Sequence, residues 1–275
     1  MDKQANKEHW ASWAQEHGEK VQATTRTATA KLIEIGALRA AISQHIGSEE
    51  SSSRILEVGC GNGVNCVRLA QSFPNIDFVG LDYVPEMVMN AQQLATKEGV
   101  AARCTFEEGD ALDLDRTLGD TKDFDIAFTV RCLINLQTDD NQVAALASLV
   151  SRVRPGGLIL LIENSQQSYA RQNALREMLG MEPRTPAAFN HFIDEELFFT
   201  EARKLPISHV KTVDISSLHD VLLYVLVPAT NGGVVDYEHP LVSAATDLEL
   251  RVNDDLASAF GGFGQNRLFI FQRTA

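Results

Sequence analysis

Ile55-Leu-Glu-Val-Gly-Cys-Gly-Asn-Gly63 decides the fold. An apolar run ends in an acid, Glu57, and then opens into glycines at the alternate positions 59, 61 and 63. This is the pattern of a strand that turns sharply into a helix. Gly59 can take backbone angles closed to other residues, and Gly61 and Gly63 let a ligand and the helix come close. Backbone N–H groups at the start of that helix face whatever lies above the turn. A second apolar run, Val79-Gly-Leu-Asp-Tyr83, brings in Asp82 nineteen residues after Gly63. Strand, glycine turn, helix and an acid-tipped strand together make a nucleotide-type pocket. Glycine spacing alone does not choose the nucleotide, because dinucleotide enzymes use a related pattern. The acid at 57 would repel a diphosphate and attract a cationic group.

Outward from this turn the chain alternates regularly. Strands are expected at 54–58, 77–81, 104–107, 125–130 and 158–162, and helices at 64–72, 85–98 and 140–153. Near-continuous apolar strands separated by amphipathic helices imply a parallel sheet covered on both faces, with right-handed crossovers. On the N-terminal side a helix over 7–17 places Trp10 and Trp13 on one face, as core packing or as a lid. A polar link (22–29) leads to a helix over 30–46, in which Leu32, Ile35, Leu38, Ile42 and Ile46 recur at helical spacing. Gly47 and the serines at 48 and 51–53 break it before the first strand. Beyond 163, helices are expected at 169–179 and 194–205, a strand at 209–215 and a last strand at 267–272. Those two strands read as an antiparallel pair at one sheet edge. The segment 216–263 between them is too long for a hairpin loop and is expected to fold over the site as a cap.

The 275 residues carry a net charge of -13 with no basic run, which argues against nucleic acid as a partner and for a small-molecule substrate. Residues 1–20 are polar, without the apolar core of a leader, and no apolar window is long enough to span a bilayer. Cys60, Cys66, Cys104 and Cys132 have neither C-x-x-C spacing nor a neighbouring histidine. Free thiols in a reducing cytoplasm are expected, with no metal site.

Five motifs occur in order: Glu57-Val-Gly-Cys-Gly-Asn-Gly63, Val79-Gly-Leu-Asp82, Gly109-Asp-Ala111, Phe124-Asp-Ile-Ala-Phe-Thr-Val130 and Arg154-Pro-Gly-Gly-Leu158. As a set, over about residues 54–163, they resemble the class I S-adenosylmethionine-dependent methyltransferases. The resemblance implies a doubly wound, seven-stranded, mostly parallel α/β sheet of the Rossmann-like kind. An N-terminal helical segment (1–53) would precede the methyltransferase domain (54–275), with the cap inserted before the last strand. It also implies S-adenosyl-L-methionine as cofactor. Gly59, Gly61 and Gly63 would wrap its methionine part, and Glu57 suits its cationic sulfonium or amino group. Asp82 would accept from the ribose hydroxyls and Tyr83 could stack on adenine. Asp110 would take the adenine amino group with the Ala111 N–H near the ring, and Thr129 would lie beside the methionine end. Asp110 reads equally as an Asx turn, and Arg154-Pro-Gly-Gly as a structural tight turn.

Substrate groups are expected from the ends of the fourth and fifth strands: Arg131, Asn135, Glu163, Asn164, Arg171 and Asn173. Arginines there suit an anionic or hydroxyl-rich acceptor, or form a salt-bridged rim such as Arg131 with Glu163. An oxygen nucleophile needs a base, and His191 and His219 are the candidates; Arg131 completes the expected catalytic set. Arg131-Cys-Leu-Ile-Asn135, the run Glu163-Asn-Ser-Gln-Gln167, Asn173-Ala-Leu-Arg176 and the segment from Asn190 to Glu195 are similar to bacterial methyltransferases acting on sugars or other polar compounds in surface-polysaccharide and natural-product pathways. The expectation is O-methylation of a small polar or anionic acceptor by a cytoplasmic monomer or homodimer. N-methylation of a small amine, with Glu163, Asp194 and Asp220 facing a cation, is the nearest alternative. A non-catalytic S-adenosylmethionine-binding subunit is another. RNA methylation lacks its N/D-P-P-aromatic signature after the fourth strand, where the chain reads Thr129-Val-Arg-Cys132.

Overall fold

The computed structural model describes residues 3–46, 53–252 and 260–275. The break expected at Gly47, Ser48 and the serines 51–52 lies outside them, as do residues 253–259 of the expected cap. Strands β1 (Ser53–Val58), β2 (Ile76–Asp82), β3 (Cys104–Glu108), β4 (Phe124–Val130), β5 (Val153–Asn164), β6 (Ile207–Asp214) and β7 (Asn266–Arg273) form one sheet in the order β3-β2-β1-β4-β5-β7-β6. The first five pair in parallel. β7 is antiparallel to both β5 and β6, so the two late strands form the expected antiparallel edge.

Alternate residues along each strand feed two cores, as the two-residue period of a strand demands. Ile55, Phe78, Phe128, Leu160 and Ile270 face helices α2 (Ala28–Ile46), α3 (Val64–Ser72) and α4 (Pro85–Lys97). Leu56, Phe124, Ile159, Leu161 and Phe269 face α5 (Leu114–Leu118), α6 (Asp139–Arg152) and α8 (Glu195–Ala202). α7 (Gln166–Met178) follows β5 directly, with Ser165 capping its first turn by accepting from the Ser168 N–H. The order of parallel strands reverses between β1 and β4, and the crevice at their carboxyl ends is where such sheets bind ligands.

Two expectations change on folding. Leu32 is 52 % exposed, and the buried side of α2 runs instead through Lys31, Glu34, Leu38, Ala41 and Ile42, with Ile33 also buried. Leu38 and Ile42 of the expected stripe are buried, and Ile35 and Ile46 pack against the same core, so only Leu32 departs from it. Arg154-Pro-Gly-Gly is not a reversal. It lies inside β5, whose ladder with β4 passes from Val153 on Phe124 to Leu158 on Ile126, so the four residues between are offset from the ladder as an irregularity with Gly156 at positive φ. The described residues of the 216–263 segment mix helix and loop: α9 (Ser217–Val221) passes through one π turn (Leu222–Leu226) into α10 (Val227–Thr230), and α11 (Pro240–Glu249) follows after a loop. These pack on one another through Leu223, Tyr224, Val227 and Val242. Gly36 of α2 leaves room for Leu250 just after α11.

α1 (Lys3–His17) lies across α4, packing Trp10 and Ala14 on Val84 and Met87. The Asn62 side-chain amide donates to the carbonyls of Gly18 (3.0 Å) and Lys20 (2.8 Å), so the glycine turn itself ties down the end of α1. Among the described residues no helix is long and apolar enough to cross a membrane.

Phe269 is fully buried between Phe198 and Phe199 on the α8 face. Phe269→Ala is expected to cost about 3–5 kcal/mol of stability, the usual range for emptying an aromatic core site, read by urea unfolding.

Candidate active site

The carboxyl ends of β1, β2, β4 and β5 open into a cavity of about 810 Å³, within the range that holds a nucleoside-sized ligand together with a small second molecule. Its first end is built by the glycine turn. The N–H groups of Gly59 and Cys60 donate to the Leu81 carbonyl (2.7 and 2.9 Å), which folds the turn onto β2. The next free N–H, of Gly61, then donates to Asp82 Oδ2 at 2.8 Å, and the Val84 N–H to Oδ1 at 3.0 Å. Burial pushes the Asp82 carboxyl up to about 6, while these N–H groups hold it back. Gly59 and Gly61 both have positive φ and line the cavity, where a side chain on either would strike Cys132 or Thr24. Tyr83, Asp110 and Ala111 line the same end. The Tyr83 hydroxyl is buried without a partner. Asp110 makes the Asx turn, its Oδ1 accepting from the Leu112 N–H at 3.1 Å, and its carboxylate also meets the Lys3 ammonium of α1.

Three residues expected around the cofactor do not line this cavity. Gly63 faces the other way and lets Ala91 and Phe106 pack against the start of α3. Glu57 is fully buried beneath the turn; its carboxylate accepts from Asn65 Nδ2 (2.7 Å) and Cys66 Sγ (2.9 Å). Asn65 in turn accepts from Lys31 Nζ at 3.1 Å, so Asn65 and Lys31 stand at the wall where Glu57 was expected. Thr129 is buried and donates to Glu163 Oε1 at 2.7 Å.

That bond belongs to a clamp. Glu163, fully buried at the end of β5, also accepts the N–H groups of Cys132 (3.1 Å), Leu133 (3.1 Å) and Ile134 (3.3 Å). It thereby fixes the turn after β4 and holds Arg131 at φ 54, a left-handed conformation uncommon for a residue with a side chain. Arg131 does not pair with Glu163. Its Nε lies 2.8 Å from Glu34 Oε1 of α2, and Lys31 Nζ lies 2.9 Å from Oε2 of the same carboxylate.

The two histidines part company. His219, at the start of the cap, is buried and on the cavity wall. Its Nδ1 is 2.8 Å from Asp220 Oδ1 and its Nε2 3.0 Å from Thr29 Oγ1. Asp220 Oδ2 accepts from Gln172 Nε2, Ser216 Oγ and the Gln265 N–H at 2.8–3.2 Å. An acceptor so placed puts the proton of a neutral imidazole on Nδ1 and the lone pair on Nε2. His191 is off the cavity wall: its Nε2 sits 2.9 Å from Asp139 Oδ1, and its backbone is held by Ile134 and Gln142. Asn135 and Asn164 line the cavity. Arg171 and Asn173 do not: Arg171 donates to the Gly262 carbonyl and Ser168 Oγ, and Asn173 holds the backbone of Arg184.

Several wall residues were not singled out from sequence. Lys31 had a signal, since it and Glu34, which is buried behind the wall, are two charges three apart inside an apolar helix. Arg184 and Phe189, in the loop after α7, had none. Phe189 stacks on His9 at 4.5 Å and meets Trp10 edge-on at 5.5 Å, so the tryptophan helix and this loop meet over the cavity.

Residues 49–204 match the protein-family model of a methyltransferase domain. The chain belongs to that family. Among its relatives are ajmaline N-methyltransferase of Rauvolfia serpentina, 31 % identical over 42 % of this chain and 36 % of its own length, and norajmaline N-methyltransferase of the same plant, 26 % identical over 58 % and 54 %. Demethylmenaquinone methyltransferase of Deinococcus radiodurans is 32 % identical over 41 % and 44 %. The match thus spans between about a third and about a half of these relatives' length. In fold, this methyltransferase domain superposes on magnesium protoporphyrin IX methyltransferase of Synechocystis with a TM-score of 0.60 at 14 % identity, covering 99 % of this chain and 100 % of the other. Geranyl diphosphate C-methyltransferase of Streptomyces coelicolor superposes with a TM-score of 0.55 at 14 % identity, over 86 % and 79 %. The seven-stranded sheet is the sheet of this family.

Burial raises the Glu57 carboxyl from 4.5 to about 7, against the bonds from Cys66 and Asn65 and the charge of Lys31. Between those two values the folded chain keeps a proton that the unfolded chain has released, so this group's contribution to stability falls as pH rises through the window. Glu57→Gln removes the ionisation. Relative to the parent, the variant is expected to gain up to roughly 3 kcal/mol on going from about pH 5 to about pH 8. Urea unfolding at both pH values reads the gain.

Proposed function

We propose that the chain is an S-adenosylmethionine-dependent methyltransferase that transfers the methyl group to a hydroxyl oxygen of a small polar acceptor. The observation that carries this reading is a single cavity with the glycine turn and Asp82 at one end and the His219–Asp220 pair at the other. The donor end fits the cofactor on its own chemistry. Gly59 and Gly61 form a cradle that a Cβ would fill. Asp82 uses one site on each oxygen for the Gly61 and Val84 N–H groups, which leaves acceptor capacity for two ribose hydroxyls. Tyr83, with its unpartnered hydroxyl, and Asp110 with Ala111 would flank the adenine, while Lys31 and Asn65 stand near the methionine end in place of Glu57. S-adenosylmethionine would supply an electrophilic methyl on a sulfonium, with no phosphate for the acidic end to repel.

At the other end His219 Nε2, with the acceptor's hydroxyl displacing its bond from Thr29 Oγ1, would take the hydroxyl proton as the oxygen forms its bond to the methyl carbon. Asp220 would stabilise the resulting imidazolium and hold the ring in the required tautomer. Positioning supplies the remainder, because methyl transfer from a sulfonium needs little beyond in-line contact. α1 and the 183–192 loop, joined through His9, Trp10 and Phe189, would keep water out.

N-methylation is the second reading, favoured by the two alkaloid N-methyltransferases among the relatives. The acids once expected to face a cationic amine speak against it. Glu163 is enclosed in its clamp, Asp194 caps α8, and Asp220 holds His219.

Asp82→Ala is expected to weaken S-adenosylhomocysteine binding by at least about tenfold, since charge-assisted bonds to two hydroxyls are lost; calorimetry showing unchanged affinity would remove the assigned donor site. His219→Asn is expected to lower kcat by about 10²–10⁴ with donor affinity intact, whereas His191→Ala should leave kcat near the parent value. Full turnover in the His219 variant would shift the reading to an amine acceptor.

A further inference from the structure

The acceptor end of the cavity holds a cation whose partners are all neutral. Among the described residues, the buried or half-buried cations on the cavity wall are Lys31, Arg131 and Arg184. The first two share Glu34. The guanidinium of Arg184 donates from Nη1 to Gln172 Oε1 (2.9 Å) and Gln265 Oε1 (3.3 Å), and lies over the Tyr224 ring at 3.5 Å and the Tyr169 ring at 5.0 Å. No acid is within ion-pair distance of it among the described residues. Its backbone is fixed on both sides by Asn173, whose amide accepts from the Arg184 N–H and donates to its carbonyl, each at 2.9 Å. The group is therefore held in place and left unneutralised.

A second observation points to the same spot. Tyr169 is 7 % exposed and lines the cavity, and its hydroxyl is buried without a partner. A buried hydroxyl and a guanidinium fork with spare N–H groups beside it are donors waiting for an acceptor, and a guanidinium among aromatic faces binds planar anions well. Gln172 connects this spot to the base. Its Oε1 accepts from Arg184, and its Nε2 donates to Asp220 Oδ2 at 3.2 Å, behind His219.

We propose that Arg184 and Tyr169 form a carboxylate subsite, so that the methyl acceptor is a hydroxylated carboxylic acid anchored there with its hydroxyl at His219. The word acceptor rests on the methyltransferase reading; the subsite itself does not. One unpaired guanidinium and a neutral hydroxyl match a single negative charge, which favours a carboxylate over a phosphate dianion. Arg176, the other guanidinium nearby, is engaged with the carbonyls of Glu182 and Tyr224.

The test is calorimetry on the full chain with benzoate, its neutral isostere benzamide, and phenyl phosphate, each with and without S-adenosylhomocysteine. Benzoate is expected to bind at least about tenfold more tightly than benzamide. Arg184→Met should abolish that preference, Arg184→Lys should restore part of it, and Tyr169→Phe should weaken benzoate severalfold and benzamide less. Equal binding of benzoate and benzamide, no saturable benzoate binding, or a preference that survives both Arg184→Met and Tyr169→Phe would overturn the subsite. Phenyl phosphate binding more tightly than benzoate through Arg184 would overturn the carboxylate class. Should Arg184→Met fail to fold, Tyr169→Phe decides, because it removes a hydroxyl that has no partner. Failure of the parent protein to bind S-adenosylhomocysteine would sink the methyltransferase reading, while the benzoate comparison still tests the subsite.

Discussion

The Glu163 carboxylate is the constraint on which the site depends. It sits fully buried at the end of β5 and collects the Thr129 hydroxyl and the N–H groups of Cys132, Leu133 and Ile134. These donors all belong to the end of β4 and the turn after it, so one side chain joins two neighbouring strands and stops the turn from relaxing. Burial pushes its pKa up to about 7, against four bonds that pull it down. Without those bonds a buried carboxylate would be protonated and the N–H groups left unmet, an expensive state in a low-dielectric core. The consequence is local and specific. Arg131 stays at positive φ, its N–H on the Ile162 carbonyl and its guanidinium turned back to Glu34 of α2.

From that turn a chain of buried polar groups runs under the cavity floor: Arg131, Glu34, Lys31, Asn65, Glu57 and Cys66. Arg131 and Lys31 are paired with Glu34, and Glu57 is held by hydrogen bonds from Asn65 and Cys66, which is the condition for keeping such groups away from water. The chain ties α2 to both β1 and β4, on either side of the point where the strand order reverses. Glu34 stands between the two cations of the floor, Lys31 and Arg131, and offsets one of them.

Much of the fold was legible in the sequence, because its causes are local. Apolar runs of strand length separated by amphipathic helices admit few arrangements other than a parallel sheet covered on both faces. The glycines at 59 and 61 and the acid at 82 were legible for the same reason: a turn with positive φ at adjacent strands requires them where they stand. Less legible was the direction in which a polar side chain points. Glu57 and Thr129 carry the right residue types at the right strand ends, yet the two-residue period of a strand turns them into the core, where Asn65, Cys66 and Glu163 receive them. His191 and His219 look alike as sequence. The loop that holds His191 by Ile134 and Gln142 turns its ring to Asp139, whereas the first turn of α9 sets His219 against Asp220 and the cavity.

The sequence by itself determined the sheet, its crossover helices, the glycine turn and the acid that answers it, since each follows from periodicity or from a backbone angle that only certain residues tolerate. Only the tertiary structure decided which charges meet. Glu34 meets Arg131 from about 100 residues away, Asp220 meets its sequence neighbour His219, and Arg184 meets no acid among the described residues. Coulomb energy and desolvation depend on distance in space and on burial, and neither is written in the order of residues along the chain.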